Sequence, residues 1–209
     1  MDHGFYQNYG MEGSGMLVGV GLGLGGYAKS LSESFTKTIT RTGGLHKKKI
    51  NMTAGLRQCK TMFVRAHRAG KKVIFIGNGG SAAIASHLAI DYTKNGGIRA
   101  VAFNDLAALT CMANDFGYPQ VFAKQLEYFA QKGDVVVCIS SSGMSRNILE
   151  AAAISRTLNL DIVTLSGMDS DNRLSGCGQV NFYVPANDYG LIEITHLSIL
   201  HAITSVPNL

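Results

Sequence analysis

Val73-Ile74-Phe75-Ile76-Gly77-Asn78-Gly79-Gly80-Ser81 runs a short apolar segment, mostly β-branched, straight into a glycine-rich turn, and an Ala-rich helical stretch follows. An apolar run of that length, closed by glycine and followed by helical periodicity, reads as a strand buried on both faces of a parallel sheet. The same pattern recurs downstream at Ala100 to Phe103, Val135 to Ile139, Ile162 to Leu165 and Phe182 to Val184, each separated from the next by a helical stretch. The chain therefore predicts an α/β fold: a three-layer, five-stranded parallel sheet with helices on both faces. No internal repeat is visible.

Upstream, Tyr27 to Thr42 and Lys48 to Ala69 carry apolar residues at helical spacing, with Leu56, Cys59, Phe63 and Ala66 on one face. Gly43-Gly44 is the break between the two and Gly70 the stop, which predicts an N-terminal helical hairpin over 27–69. Residues 1–26 are Gly-rich and poorly patterned, and read as a flexible arm ahead of a single domain spanning 27–209. Gly21, Gly23 and Gly26 match G-x-G-x-x-G. No strand precedes them and no acidic residue follows at the right distance in a βαβ unit, so a dinucleotide site is not expected.

The 209 residues are 46% hydrophobic, enough for one good core. No run reaches the ~18 consecutive apolar residues of a membrane span. Cys59, Cys111, Cys138 and Cys177 form no C-x-x-C pair, which points to reduced thiols and a cytoplasmic protein. Residues 27–72 hold twelve of the 19 Lys and Arg and one acid, Glu33, although the chain as a whole carries only +5. Lys47-Lys48-Lys49 has no interleaved aromatics, so a solvated face is expected there rather than a nucleic-acid surface.

In an open parallel sheet the ligand lies beyond the carboxyl ends of the strands. Gly77-Asn78-Gly79-Gly80-Ser81 follows one strand, and Ser140-Ser141-Ser142-Gly143-Met144-Ser145 follows another before a helix running from Arg146. Glycines allow close backbone approach, and a helix N-terminus offers free N–H groups to an anion. Either turn alone is also what an ordinary N-capped βα turn looks like. Together they point to one small phosphate monoester, and neither ends in the Gly-Lys-Ser/Thr of a nucleotide loop. His87 and Asp91 lie four apart on the helix that Ser81 opens, and so share a face. On the C-terminal helix Glu193 and His201 are eight apart, while His196 lies on the far side of Glu193 from His201. Two carboxylates and two imidazoles suit proton transfer on a sugar, and the same four, His87, Asp91, Glu193 and His201, could bind a divalent metal, zinc first.

These motifs, in order and spacing, resemble the phosphoheptose isomerase family. The resemblance rests on Gly77 to Ser81, His87, Ala113-Asn114-Asp115-Phe116-Gly117, Ile139 to Ser145 and Glu193 to His201, and covers roughly residues 27–205. It implies a flavodoxin-like SIS (sugar isomerase) fold, a homotetramer with helical hairpins at its core, and an enediol route between sedoheptulose 7-phosphate and D-glycero-D-manno-heptose 7-phosphate. It also implies substrate contacts from Asn78, Gly79, Gly80, Ser81, Asn114, Asp115, Ser140, Ser141, Ser142 and Ser145. Catalytic roles fall to Asp91, His201 and Glu193. The chain departs from the family at four points: Asp91 stands where a Glu is usual, Glu193 where a Gln is usual, Asn95 for an Arg and Met144 for an Asn. Some members of the wider family are non-catalytic and regulate replication initiation through a protein partner, and the basic hairpin gives that alternative a surface.

Overall fold

The computed structural model describes residues 23–205. The arm expected over 1–26 lies almost wholly outside the described residues, and its last residues, Leu24 to Gly26, already belong to helix α1 (Leu24–Thr36). The remaining elements are strands β1 (Ile39–Thr42) and β2 (Lys48–Ile50), then α2 (Met52–Arg68), β3 (Val73–Gly77), α3 (Gly80–Lys94), β4 (Ala100–Ala102) and α4 (Leu106–Phe116). They continue with α5 (Val121–Phe129), β5 (Val135–Ser140), α6 (Arg146–Thr157), β6 (Asp161–Gly167), β7 (Val180–Val184) and α7 (Tyr189–Ser205).

The strands form one sheet in the order β2-β1-β7-β6-β5-β3-β4. The five strands from β3 to β7 are mutually parallel, as the sequence predicts. Every residue of β3, β5 and β7 is buried, because helices cover both faces. Alternate residues feed two cores: Val73, Phe75, Val137 and Leu165 pack with α2, α3 and α7, while Ile74, Ile76, Val136 and Ile162 pack with α5 and α6. From β3 the chain crosses to β4 on one side and then returns to place β5 on the other. The switch point of the sheet therefore lies between the ends of β3 and β5.

The sheet has seven strands rather than five, and the correction lies in the N-terminal hairpin. Helix α1 ends at Thr36, and residues 39–50 form a β-hairpin that extends the sheet antiparallel to β7. The reason is local: Thr38-Ile39-Thr40-Arg41-Thr42 is a β-branched run that loses side-chain freedom in a helix and packs well on a pleated surface. Thr40 turns toward α2, where Gly55 has no side chain; a Cβ there would overlap the Thr40 methyl. Arg41 turns to the opposite face and lies 5.1 Å over the Tyr183 ring. Gly43 (φ 87°), Gly44 (φ 58°) and Lys47 (φ 42°) are left-handed, so the predicted helix break is a strand-to-strand turn. Helix α2 begins at Met52, where Asn51 Oδ1 accepts the Ala54 N–H at 2.7 Å, and it buries Leu56, Cys59, Phe63 and Ala66 as expected.

At the opposite pole from the switch point, Asp134 is fully buried. Its carboxylate accepts the backbone N–H groups of Lys72 (2.9 Å) and Gln131 (2.8 Å) and pairs with Lys72 Nζ at 2.7 Å. It thus ties together the starts of β3 and β5. Asp134→Ala leaves those donors unpaired, and the expected loss is about 3 kcal/mol in urea unfolding; a loss under about 1 kcal/mol would show that the pairing is incidental.

Candidate active site

The register of β3 on β5 runs from Val73 opposite Val135 to Gly77 opposite Ile139, so the turns after the two strands emerge side by side. Between them lies a cleft of about 260 Å³ lined by Asn78, Gly79, Gly80, Ser81, Ile139, Ser140, Ser141, Ser142, Ser145, Tyr189 and Glu193. Gly79 (φ 52°) turns the chain into α3, whose first residues present N–H groups to the cleft. Gly77 has no Cβ because Ser81 occupies that space. In the serine loop, Ser140 Oγ donates to Ser145 Oγ at 3.1 Å and accepts the Gly143 N–H at 3.2 Å. Ser142 Oγ accepts the Met144 N–H at 3.2 Å. Ser141 Oγ is buried with no partner among the described residues, a vacancy that native structures rarely leave unexplained. No lysine or arginine lines the cleft.

The serine loop is backed by Asn172, which the sequence did not single out. Its side chain packs where a Cβ on Gly143 (φ 63°) would lie, and its Nδ2 donates to Ser166 Oγ (3.2 Å) and to the Asp169 carbonyl (2.6 Å). Gly167 N–H in turn donates to the Ser141 carbonyl at 2.8 Å. Met144, where the family usually has Asn, is half exposed at the loop tip.

The acid–base candidates fall into two places. Asp91 and His201 meet where α3 packs on α7, with Asp91 Oδ2 3.4 Å from His201 Nδ1. His201 Nε2 faces His87 Nε2 at 3.3 Å. The second Asp91 oxygen accepts the Asn95 amide. Glu193 is elsewhere: it lies at the cleft, its carboxylate against Gly80, where any Cβ would overlap it. Eight residues on a helix amount to about 12 Å of axial rise between Glu193 and His201. Burial raises the Glu193 pKa above the ordinary carboxylate value. Asn114 and Asp115 sit on the exposed end of α4, outside the cleft, and bond to each other at 2.9 Å. Asn147, Tyr118 and Tyr189 also belong to the site region. Only Asn147 left a signal in the sequence, as a polar residue on the buried stripe of α6 that Ile148, Ala151, Ala152 and Ser155 define.

The zinc expectation can be tested on these positions. Two nitrogens 3.3 Å apart match the separation of two ligands on one tetrahedral zinc with bonds of about 2.0–2.1 Å, so the imidazole pair fits. The carboxylates do not: Asp91 sits on the far nitrogen of His201, and Glu193 lies at the serine cleft. Among the described residues no group of three or more His, Cys, Asp or Glu is arranged to hold a cation.

Residues 37–167 match the SIS domain model. The chain is 36% identical over 161 residues to the phosphoheptose isomerase of Helicobacter hepaticus, covering 74% of this chain and 82% of that one. This chain belongs to the phosphoheptose isomerases of the SIS-domain family. It is also 32% identical to the phosphoheptose isomerase of Helicobacter pylori, over 75% of this chain and 84% of the relative. The solved phosphoheptose isomerase of Neisseria gonorrhoeae superimposes with a TM-score of 0.71 at 29% identity, covering 86% of this chain and 93% of the other. Within this family member the departures have places. Asp91 and Asn95 bond to each other, and Glu193 fills the space that Gly80 leaves open. Among the described residues no helix is long and apolar enough to cross a membrane.

His196 anchors α7 to the sheet beneath the cleft. It is fully buried, its Nε2–H donates to the Ser166 carbonyl at 3.2 Å, and burial pushes its pKa from 6.5 down to about 4. A depressed histidine pKa means the unfolded chain binds the proton first, so stability is full above pH 6.5 and is lost as pH falls toward 4. The loss should reach about 3 kcal/mol and should be smaller in His196→Gln, which keeps a donor and has no proton to gain. Equal pH slopes for the two proteins in urea unfolding would refute this account.

Proposed function

We propose that this protein interconverts sedoheptulose 7-phosphate and D-glycero-D-manno-heptose 7-phosphate through an enediol. The observation that carries the reading is the cleft at the switch point, lined by Ser81, Ser140, Ser141, Ser142 and Ser145 beside the first residues of α3. A phosphate there takes hydrogen bonds from Ser81, Ser140, Ser141, Ser142 and Ser145 and from the N–H groups opening α3 and α6. Charge–dipole contacts replace lysines.

Helices α3 and α7 both leave the cleft and pack together, and the sugar lies along them toward Asp91 and His201. Asp91 Oδ2, 3.4 Å from His201 Nδ1, favours the tautomer with its proton on that nitrogen, which leaves the Nε2 lone pair to take the proton from C1 of the ketose. The electron pair left behind forms the C1–C2 enediolate, and O2 is protonated as O1 gives up its proton. His201 then returns its proton to C2, and the aldose results. His87 Nε2 faces the same His201 Nε2 at 3.3 Å, and its N–H passes from that nitrogen to the charged substrate oxygen when the sugar enters. Glu193, at the phosphate end, is assigned to sugar hydroxyls near the phosphate. The shorter Asp91 thereby serves as the carboxylate that orients His201, with Asn95 holding its other oxygen. Zinc, implied by the family resemblance, would draw on the same His87 and His201 nitrogens and so has no part in this proton route.

The reading includes a homotetramer. Helix α4 has no buried residue, and it exposes Leu106 (75%) and Phe116 (43%), which an assembly would cover. Sedimentation should show four chain masses, and Leu106→Arg should lower that number; a monomeric parent would remove the tetramer from the proposal.

Incubation with sedoheptulose 7-phosphate, with and without zinc, should produce aldose visible by NMR. Absence of turnover on any C5 to C7 ketose phosphate, with binding undiminished, would sink the enzyme reading. His201→Asn should lower kcat by about 10²–10⁴ and Asp91→Asn by about 10² through misorientation of His201, whereas Glu193→Gln should act mainly on KM.

A further inference from the structure

Asn78 and Asn147 form a reciprocal amide pair across the two loops. Asn78 Nδ2 donates to Asn147 Oδ1 at 2.9 Å, and Asn147 Nδ2 donates back to Asn78 Oδ1 at 2.8 Å. The Tyr118 hydroxyl donates to the same Asn78 oxygen at 3.0 Å. Asn147 is buried at the start of α6, the helix that the serine loop opens, and Tyr118 follows Gly117 at the end of the Ala113 to Gly117 motif.

The sheet spaces the two loops only as far as Gly77 and Ile139, where the paired register ends. Beyond that point both segments turn on left-handed glycines, Gly79 and Gly143, which permit many loop conformations in isolation. The amide pair takes over the spacing there. It occupies both lone pairs of the Asn78 oxygen, counting the tyrosine, and one of its two amide hydrogens. The Asn78 side chain is therefore largely spent on protein contacts, and its buried partner cannot turn to water without leaving polar atoms unpaired.

We propose that Asn147 and Tyr118 are positioning residues that set the width of the phosphate cradle through Asn78. The inference rests on the phosphate reading of the cleft. It assigns a task to the segment following α4: Tyr118 carries the position of that segment to the glycine turn. Neither residue touches the reacting carbons, so the effect falls on phosphate affinity.

The test uses the full chain, with inorganic phosphate as the probe in calorimetry and sedoheptulose 7-phosphate in kinetics. Asn147→Ala should weaken phosphate binding and raise KM about tenfold, with a much smaller fall in kcat. Tyr118→Phe removes one hydroxyl from an exposed side chain and poses no folding risk. It should raise both constants about threefold at unchanged Tm. The double variant should show less than the product of the two effects, because both act through one oxygen. Phosphate affinity within twofold of the parent in both single variants would overturn the clamp, and so would a fall in kcat at constant KM. A parent that bound no phosphate would remove the cradle, and the clamp with it.

Discussion

The parallel pairing of Val73–Gly77 with Val135–Ser140 is the constraint on which the rest of the site depends. Two strands that are neighbours in the sheet but separated in sequence by β4 and three helices deliver their following turns to one place, and each turn opens a helix pointing away from it. The complete burial of both strands fixes their register, since a one-residue slip would send every core side chain to the wrong face. Asp134 holds the far ends of the same strands, so the pair is secured at one pole by a buried carboxylate and opens at the other into the cleft.

A phosphate cradle without lysine or arginine has a particular electrostatic character. Its donors are hydroxyls and backbone N–H groups whose orientation is set by the fold, so little reorganisation accompanies binding. The carboxylate of Glu193 lies at the lip of this cradle, and burial there raises its pKa above the ordinary carboxylate value. The proton-transferring groups stand apart from that end, along α3 and α7. This separates the anchoring of the substrate from the chemistry done on it.

Much of this was legible in the sequence, and what was not has physical causes. Strands β3, β5, β6 and β7 were readable because burial on two faces writes an uninterrupted apolar run. The serine and glycine turns were readable because glycine and hydroxyl residues at strand ends have few other uses. The β-hairpin was hidden because its strands are short, and Ile39 also fits the apolar spacing of the helix before it. Asn147 and Tyr118 escaped notice because each acts through a side chain aimed at a residue distant in sequence; Asn147 and Asn78 are 69 positions apart. The grouping of Glu193 with His201 was likewise a helical-wheel inference that ignored axial rise. The wheel gave the angle, and only the packing of α3 on α7 gave the distance.

Lys48 and Lys49 acquire a meaning from the strand they occupy. Strand β2 is the outermost strand of the sheet, with Lys48 and Lys49 exposed on it. A free strand edge is a template for pairing with another chain, and lysine on that edge opposes such pairing by repulsion and by the cost of stripping water from its ammonium. These two of the twelve basic residues in 27–72 thus bear on colloidal behaviour. An edge lined with lysine disfavours edge-to-edge association of one sheet with another.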